Sequence, residues 1–236
     1  MIKMKLYKHF DFSNEKSLDL SLWNIEVGKK WANNELQHYV DSDENLYFDN
    51  GLVINATLKN GIYESTRINT KNKFFFKYGR IDVIAKVPKG IGTWPAIWML
   101  SEENKYGRWP NSGEIDIMEH VGRDIDNLFL CLHTESHNHR YDTQYSKEYY
   151  SKGISDDFQT YSIDWVEDSI TYYVNNKLIV KYERGKDGFD SSHKGWPFNE
   201  NFFLILNLAI GGKFGGEVND SDFPQQFIIK DIKIFR

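Results

Sequence analysis

The sequence predicts an all-β protein, an antiparallel sandwich or barrel. Three observations point there. Few segments of the 236 residues keep a helical period. Most apolar residues fall in short runs bounded by Gly, Asn, Asp or Ser at fairly even spacing, as strands and turns require. The length is ordinary for one large sandwich and ample for a full hydrophobic core.

Gly51-Leu52-Val53-Ile54-Asn55-Ala56 reads as an early strand. Residues 78–87 alternate, with Ile81, Val83, Ala85 and Val87 on one face and Arg80, Asp82 and Lys86 on the other. Residues 93–100 are apolar on both faces and are expected at the centre of a sheet. Leu128, Leu130 and Leu132 share a core-facing side, opposite Phe129, Cys131 and His133. Residues 161–166, 170–174 and 177–182 form a meander, with Asn175-Asn176 as a two-residue turn because Asn tolerates positive φ. Residues 202–210 are a further buried strand, broken by Gly211-Gly212. Residues 227–235 close the chain as a strand paired within a sheet, so truncation there is expected to be harmful. Residues 101–112, 137–157 and 185–200 lack a period and read as loops, with a short helical turn at most; loops this long often carry function. No internal repeat, low-complexity tract or linker interrupts the chain, and residues 1–236 are read as one domain.

Composition narrows the function. A net charge of -5 gives no electrostatic footprint for nucleic acid. No stretch approaches the length of a membrane span. Residues 1–12 contain neither an uninterrupted apolar run nor a small-residue cleavage site. The single cysteine, Cys131, excludes an intrachain disulfide and is expected to be packed and inert. Aromatic residues make up 16% of the chain, and the seven Trp suit stacking against flat sugar faces.

The chemistry concentrates in Gly113-Glu114-Ile115-Asp116-Ile117-Met118-Glu119-His120. On a strand, Glu114 and Asp116 share a face, and Glu119 is out of step by one residue. A β-bulge at Ile117-Met118 would return it to that face. Three carboxylates in a row repel one another and push their pKa values apart, which is what a pair of acids needs to divide acid and nucleophile roles on a glycosidic bond. Retaining hydrolysis asks for carboxyls about 5 Å apart, inverting hydrolysis for about 6.5–9.5 Å. On the residues alone, an exposed acidic strand or a calcium or magnesium site remain alternatives.

The flanking residues resemble glycoside hydrolase family 16, the laminarinase and lichenase family, over almost the whole chain. Trp31-Ala32-Asn33-Asn34-Glu35-Leu36-Gln37-His38-Tyr39 resembles its W-x-N-N-E-L-Q-x-Y segment, and Ser65-Thr66-Arg67-Ile68 its S-A-R-I segment with Thr for Ala. Tyr78-Gly79-Arg80-Ile81, Gly92-Thr93-Trp94-Pro95-Ala96-Ile97-Trp98-Met99-Leu100, Trp109-Pro110 and Val121-Gly122 follow in order, as does the strand before Gly211-Gly212. The extra residue of E-x-D-x-x-E resembles the laminarinase branch, the lichenase branch having E-x-D-x-E.

The resemblance implies a concanavalin A-like jelly-roll β-sandwich, two curved antiparallel sheets with an open concave cleft. It implies retaining endo-cleavage of β-1,3-glucan, with Glu114 as nucleophile, Glu119 as general acid/base and Asp116 as their partner. It places Trp109 under the sugar at the cleavage site, Asn33 and Arg67 on glucose hydroxyls of the glycone side, and His133 beside the leaving group. Trp94 and Trp98 share a face, and Trp98 is favoured as lining the cleft; Trp196, in a loop, is favoured as a sugar platform. Asn207 is either a core hydrogen bonder or a cleft residue. No cofactor is expected for catalysis. A structural calcium is implied at Asp11, Gly51 and Asp231, with Asp11 standing where the family more often has Glu. The expected partner is a β-glucan polysaccharide, acted on by a monomer. Because such a polymer lies outside the cell, secretion is expected, the sequence here beginning after any signal or the protein being made without one. Other polysaccharides of the same fold (mixed-linkage glucan, agar, carrageenan), transglycosylation, and a non-catalytic glucan-binding module are the alternatives.

Overall fold

The structure, a computed structural model, describes residues 4–236. Met1–Lys3, the start of the segment considered above as a leader, lie outside the described residues. Two sheets face each other across one apolar core. The first runs in the order Tyr145–Tyr150, Asn127–His133, Glu114–His120, Thr93–Ser101, Phe202–Ile210, Arg67–Asn69 and Asn24–Glu26, with Phe75–Phe76 also paired to Phe202–Ile210. The second runs Lys177–Glu183, Ser169–Val174, Gln159–Val166, Gly79–Lys86, Gln225–Phe235, Leu52–Lys59, Ile62–Ser65 and His38–Tyr39. Leu6–Phe10 adds to Gln225–Phe235, and Leu46–Phe48 to Leu52–Lys59. Pairing is antiparallel except between His38–Tyr39 and Ile62–Ser65. The architecture is a jelly-roll sandwich, not a barrel. Among the described residues, no helix is long and apolar enough to cross a membrane.

The expected strands occupy their places because the period of two was intact in them. Leu128, Leu130 and Leu132 are fully buried between the sheets. Thr93–Ser101 lies in mid-sheet between Glu114–His120 and Phe202–Ile210, which explains why both its faces are apolar. Asn175 and Asn176 both take positive φ (50° and 63°) in the turn of the meander. The C-terminal strand sits between Gly79–Lys86 and Leu52–Lys59, so its loss would expose both neighbours.

One of the three expected loops is corrected. Residues 137–157 contain the strand Tyr145–Tyr150, which pairs with Asn127–His133 at the sheet edge. Its sequence, YSKEYY, buries only Tyr145 fully, so no apolar alternation marks it. Polar edge strands of this kind blunt pairing with other chains.

The bulge sits where the parity argument required it. Asp116 pairs with Cys131 and Glu119 with Phe129, so Ile117 and Met118 together face the single residue between them. On the other side Asp116 pairs with Trp98 and Met118 with Ile97, leaving Ile117 as the extra residue. Ile115, Ile117 and Met118 therefore all point into the core, fully buried, while Glu114, Asp116 and Glu119 share the outer face.

Candidate active site

The outer face of the first sheet lines a cleft of about 710 Å³. Its floor carries Glu114, Asp116 and Glu119 from one strand and Trp94, Ala96 and Trp98 from the next. Asn207 and Ala209 continue it, and Arg67 follows on the next strand. Trp31, Asn33 and Glu35 form one wall; Trp109, His139 and Arg140 form another, with Lys213 also on the rim.

The carboxylates crowd together. Asp116 has a carboxylate oxygen within 4.8 Å of one from Glu114 and likewise of one from Glu119. The His133 Nε2 lies 3.3 Å from Asp116 Oδ2 and 3.7 Å from Glu114 Oε1. The Trp94 indole Nε1 donates to Glu119 Oε1 at 2.9 Å. Asp116 is the deepest of the three, with only 4% of its side chain exposed, against 14% for Glu114.

Burial raises all three carboxyls, because a carboxylate loses its hydration and the neutral acid does not. Glu114 is pushed up to about 8, by burial first and the Asp116 charge second, against the pull of His133 and the Trp109 indole. Asp116 is held well above the ordinary carboxylate range by burial and then by Glu119. Glu119 is raised by burial, which His133 and the Trp94 N–H oppose. The three cannot all be ionised at neutral pH, so the cluster holds at least one proton among its members. A proton donor and an ionised carboxylate side by side on one cleft floor are the equipment of acid-assisted displacement.

The neighbours are set by bonds among themselves. Trp98 Nε1 donates to Asn207 Oδ1 (2.7 Å), and Asn207 Nδ2 donates to the Tyr39 hydroxyl (3.0 Å). Asn207 is thus both a cleft residue and a hydrogen bonder. The Arg67 guanidinium lies between two rings, 5.2 Å from Trp31 and 4.8 Å from Trp98, and is ion-paired with Glu26. Asn33 lies in a short 3-10 turn with φ of 58°. That turn packs so closely on Gly212 (φ +72°) that a Cβ there would come within 2.8 Å of the Asn33 carbonyl, which is why a glycine stands at that position.

Trp196 is corrected. It is 2% exposed, donates its Nε1 to the Glu167 carbonyl at 2.8 Å, and packs edge-on against Tyr145 and Phe198. A loop residue by sequence, it is a core residue in space and meets no cleft. Four wall residues, Trp31, Glu35, His139 and Arg140, escaped the sequence reading. Glu35 stands beside Asn33 in a segment already singled out; burial raises its pKa, and Gln37 Nε2 donates to it at 2.8 Å. His139 and Arg140 lie in a stretch with no period to place them. For Trp94 a signal existed, since it shares the strand face of Trp98.

Asp11 and Asp231 come together on the second sheet, with His9 beside them, and the three offer ligand atoms within 4.8 Å of one another. His9 Nε2 is 3.0 Å and Lys233 Nζ 3.3 Å from Asp231 Oδ2. Gly51 abuts the Ile229 carbonyl on the same strand as Asp231, and its own carbonyl accepts the Asp49 N–H at 3.0 Å.

Comparison with known proteins agrees with this geometry. Residues 33–212 match the family described as Glycosyl hydrolases family 16. A beta-glucanase of Rhodothermus marinus is 36% identical over 239 residues, 96% of this chain and 82% of that protein. Glucan endo-1,3-beta-glucosidase A1 of Niallia circulans is 34% identical over 252 residues, 96% of this chain but 37% of that protein. Among solved structures, the laminarinase from Flavobacterium sp. UMI-01 superposes with a TM-score of 0.91 at 39% identity, covering 98% of this chain and all of that one. With a fold, a carboxylate row and a near full-length likeness all in agreement, the chain belongs to glycosyl hydrolase family 16.

Proposed function

We propose that the protein is a retaining endo-β-1,3-glucanase that works by two displacements through a covalent glycosyl-enzyme. The observation that carries this reading is the row Glu114, Asp116, Glu119, brought onto one face by the bulge and sharing protons on a cleft floor. Its support from similar proteins is that several are named laminarinase or glucan endo-1,3-beta-glucosidase.

In the first displacement, ionised Glu114 attacks the anomeric carbon while protonated Glu119 gives its proton to the departing glycosidic oxygen. In the second, Glu119 takes a proton from water, which attacks the same carbon and frees Glu114. Two inversions leave the configuration unchanged. Asp116, the most buried acid, takes the proton that Glu114, raised to about 8, carries in the resting cluster, which leaves Glu114 ionised for attack. The Trp94 N–H fixes one oxygen of Glu119 and leaves the other for the leaving group. Asn33, Arg67 and Trp98 serve the glycone side, Trp109 offers a stacking face, and His133 stands beside the leaving group. The rings around Arg67 hold its guanidinium ready for sugar hydroxyls.

Glu114→Gln and Glu119→Gln are each expected to lose about 10²–10⁴-fold on laminarin; full activity in either overturns the reading. Azide added to alanine variants, with an activated aryl β-glucoside, separates the roles. Loss of the nucleophile leaves one inverting attack and an α-azide, and loss of the acid/base leaves the double displacement and a β-azide. The reverse pattern overturns the assignment. Products from a panel of laminarin, mixed-linkage glucan, agar and carrageenan settle the polymer, and binding without product release would favour a non-catalytic module. Secretion and a monomeric state belong to the same reading, tested by culture-supernatant assay and by light scattering.

A calcium held by the Asp11 and Asp231 carboxylates and the Gly51 carbonyl, with water completing the shell, is part of the proposal. It is supported by the closeness of the two acids. His9 and Lys233, already at Asp231, must yield to it, so weak binding is expected. A tenfold excess over Kd contributes about 1.4 kcal/mol, so millimolar calcium should raise Tm by a few degrees and a chelator should reverse it. An unchanged Tm assigns the neutralisation of Asp231 to His9 and Lys233 instead.

A further inference from the structure

The wall opposite Asn33 is built around a buried asparagine. Asn138 Nδ2 donates to the Thr134 and Glu135 carbonyls (3.0 and 3.2 Å), and its Oδ1 accepts the Arg140 N–H (3.1 Å). Its carbonyl accepts from Tyr141 and Thr143. The base of this turn is tied to the 185–200 loop: Ser136 N–H donates to the Lys194 carbonyl (2.9 Å), and the Asp190 N–H donates to His137 Nε2 (3.1 Å). A turn closed at both levels holds His139 and Arg140 out over the cleft. The His139 ring stacks on Trp109 with centroids 5.0 Å apart, and the Arg140 guanidinium lies 4.6 Å from the same ring.

Lys213, in the one-turn helix Gly212–Gly215, lines the same cleft, near enough for its charge to act on His139. Among the described residues, neither Arg140 nor Lys213 has a carboxylate within ion-pair distance, whereas Arg67 in the same cleft is paired with Glu26. Neither base is among the main groups acting on Glu114 and Glu119, where His133 is. Two fixed positive charges and an imidazole thus stand over an acidic floor without anionic partners.

We propose that His139, Arg140 and Lys213 form a cationic rim that accepts an anionic substituent, a sulfate ester or a carboxylate, carried by a sugar bound across the catalytic carboxylates. This rests on the β-glucanase reading and extends it to the substrate class: a β-glucan chain bearing scattered negative charge. The planar guanidinium, steadied on Trp109, would take two oxygens of the substituent, with Lys213 as a point charge from the other side. His139 donates a hydrogen bond.

The test compares laminarin, laminarin carrying sulfate esters and carboxymethylated laminarin as substrates of the wild type and of the Arg140→Gln/Lys213→Gln double variant. The readout is the ratio of kcat/KM on the charged to that on the neutral polymer. Two exposed charge contacts together predict a fall in that ratio of about three- to tenfold in the double variant. The wild-type ratio should drift toward the variant's as salt is raised. A fall with only one charged polymer identifies the substituent; ratios equal within about twofold for both polymers overturn the proposal. Absence of product from neutral laminarin with the wild type instead overturns the β-glucanase reading. Electrophoretic retardation in gels holding the same polymers then still reads the rim: greater retardation of wild type than variant by a charged polymer supports it, and equal retardation overturns it.

Discussion

Burying Glu114 has a cost that can be measured apart from catalysis. Its carboxyl moves from an ordinary 4.5 to about 8, mainly because burial disfavours the charge. At pH values below the ordinary one, the group is protonated in both folded and unfolded chains and costs nothing. Above about 8 it is ionised in both, and the folded state bears the whole penalty. Stability is therefore present at low pH and lost as pH rises through this window. At about 1.36 kcal/mol per pH unit the ceiling is about 5 kcal/mol. Sharing of protons with Asp116 and Glu119 lowers the sum, so about 2–5 kcal/mol is expected. Glu114→Gln removes the ionisation and keeps the shape. Thermal denaturation of both proteins from pH 4 to pH 9 should give equal Tm at the acid end and a variant more stable by several degrees at the alkaline end, at about 2–4 °C per kcal/mol for a chain of this size. A Tm difference that does not grow with pH, or one of opposite sign, would refute the argument.

Further outcomes follow from other contacts. Trp94→Phe removes the N–H that favours ionised Glu119, so its pKa rises; since the acid must be protonated, the alkaline limb of kcat/KM on laminarin should move up by about one pH unit, and an unmoved limb would disconnect Trp94 from the acid. Trp196→Ala should cost about 3–5 kcal/mol by denaturant unfolding; a raised KM at unchanged stability would restore it to the cleft. Deleting Met118 leaves Glu114-Ile115-Asp116-Ile117-Glu119, which alternates without a bulge and keeps Glu119 on the outer face, so activity on laminarin should fall by less than about a hundredfold, whereas a folded deletion variant as inactive as Glu119→Gln would mean that parity does not govern this strand.

Legibility in the sequence followed physical regularity. Leu128, Leu130 and Leu132 could be placed because a strand with one wet and one dry face must alternate, and the Glu119 offset could be read as a bulge because parity admits no other repair on a straight strand. Tyr145–Tyr150 was hidden because a polar edge strand has no dry face to betray it. Trp196 misled because loop position in sequence says nothing of whether the loop folds inward; its indole is held by the Glu167 carbonyl, 29 residues away. His139 and Arg140 owe their place to Asn138 and to the clasp with residues 185–200, long-range bonds that leave no local period.

The bulge does more than rotate one side chain. It interrupts regular pairing toward both flanking strands at the same level, between Asp116 and Glu119 on one side and beside Ile97-Trp98 on the other. A line of altered register thus crosses three strands beneath the acids, with Glu114 and Asp116 on one bank and Glu119 on the other. Ile117 and Met118 both anchor it from the core side, which fixes the angle the sheet takes across this line. The gap between the two glutamate carboxyls is then governed by the angle of the backbone across a seam. Stereochemical outcome, which depends on that gap, becomes a mechanical property of the sheet.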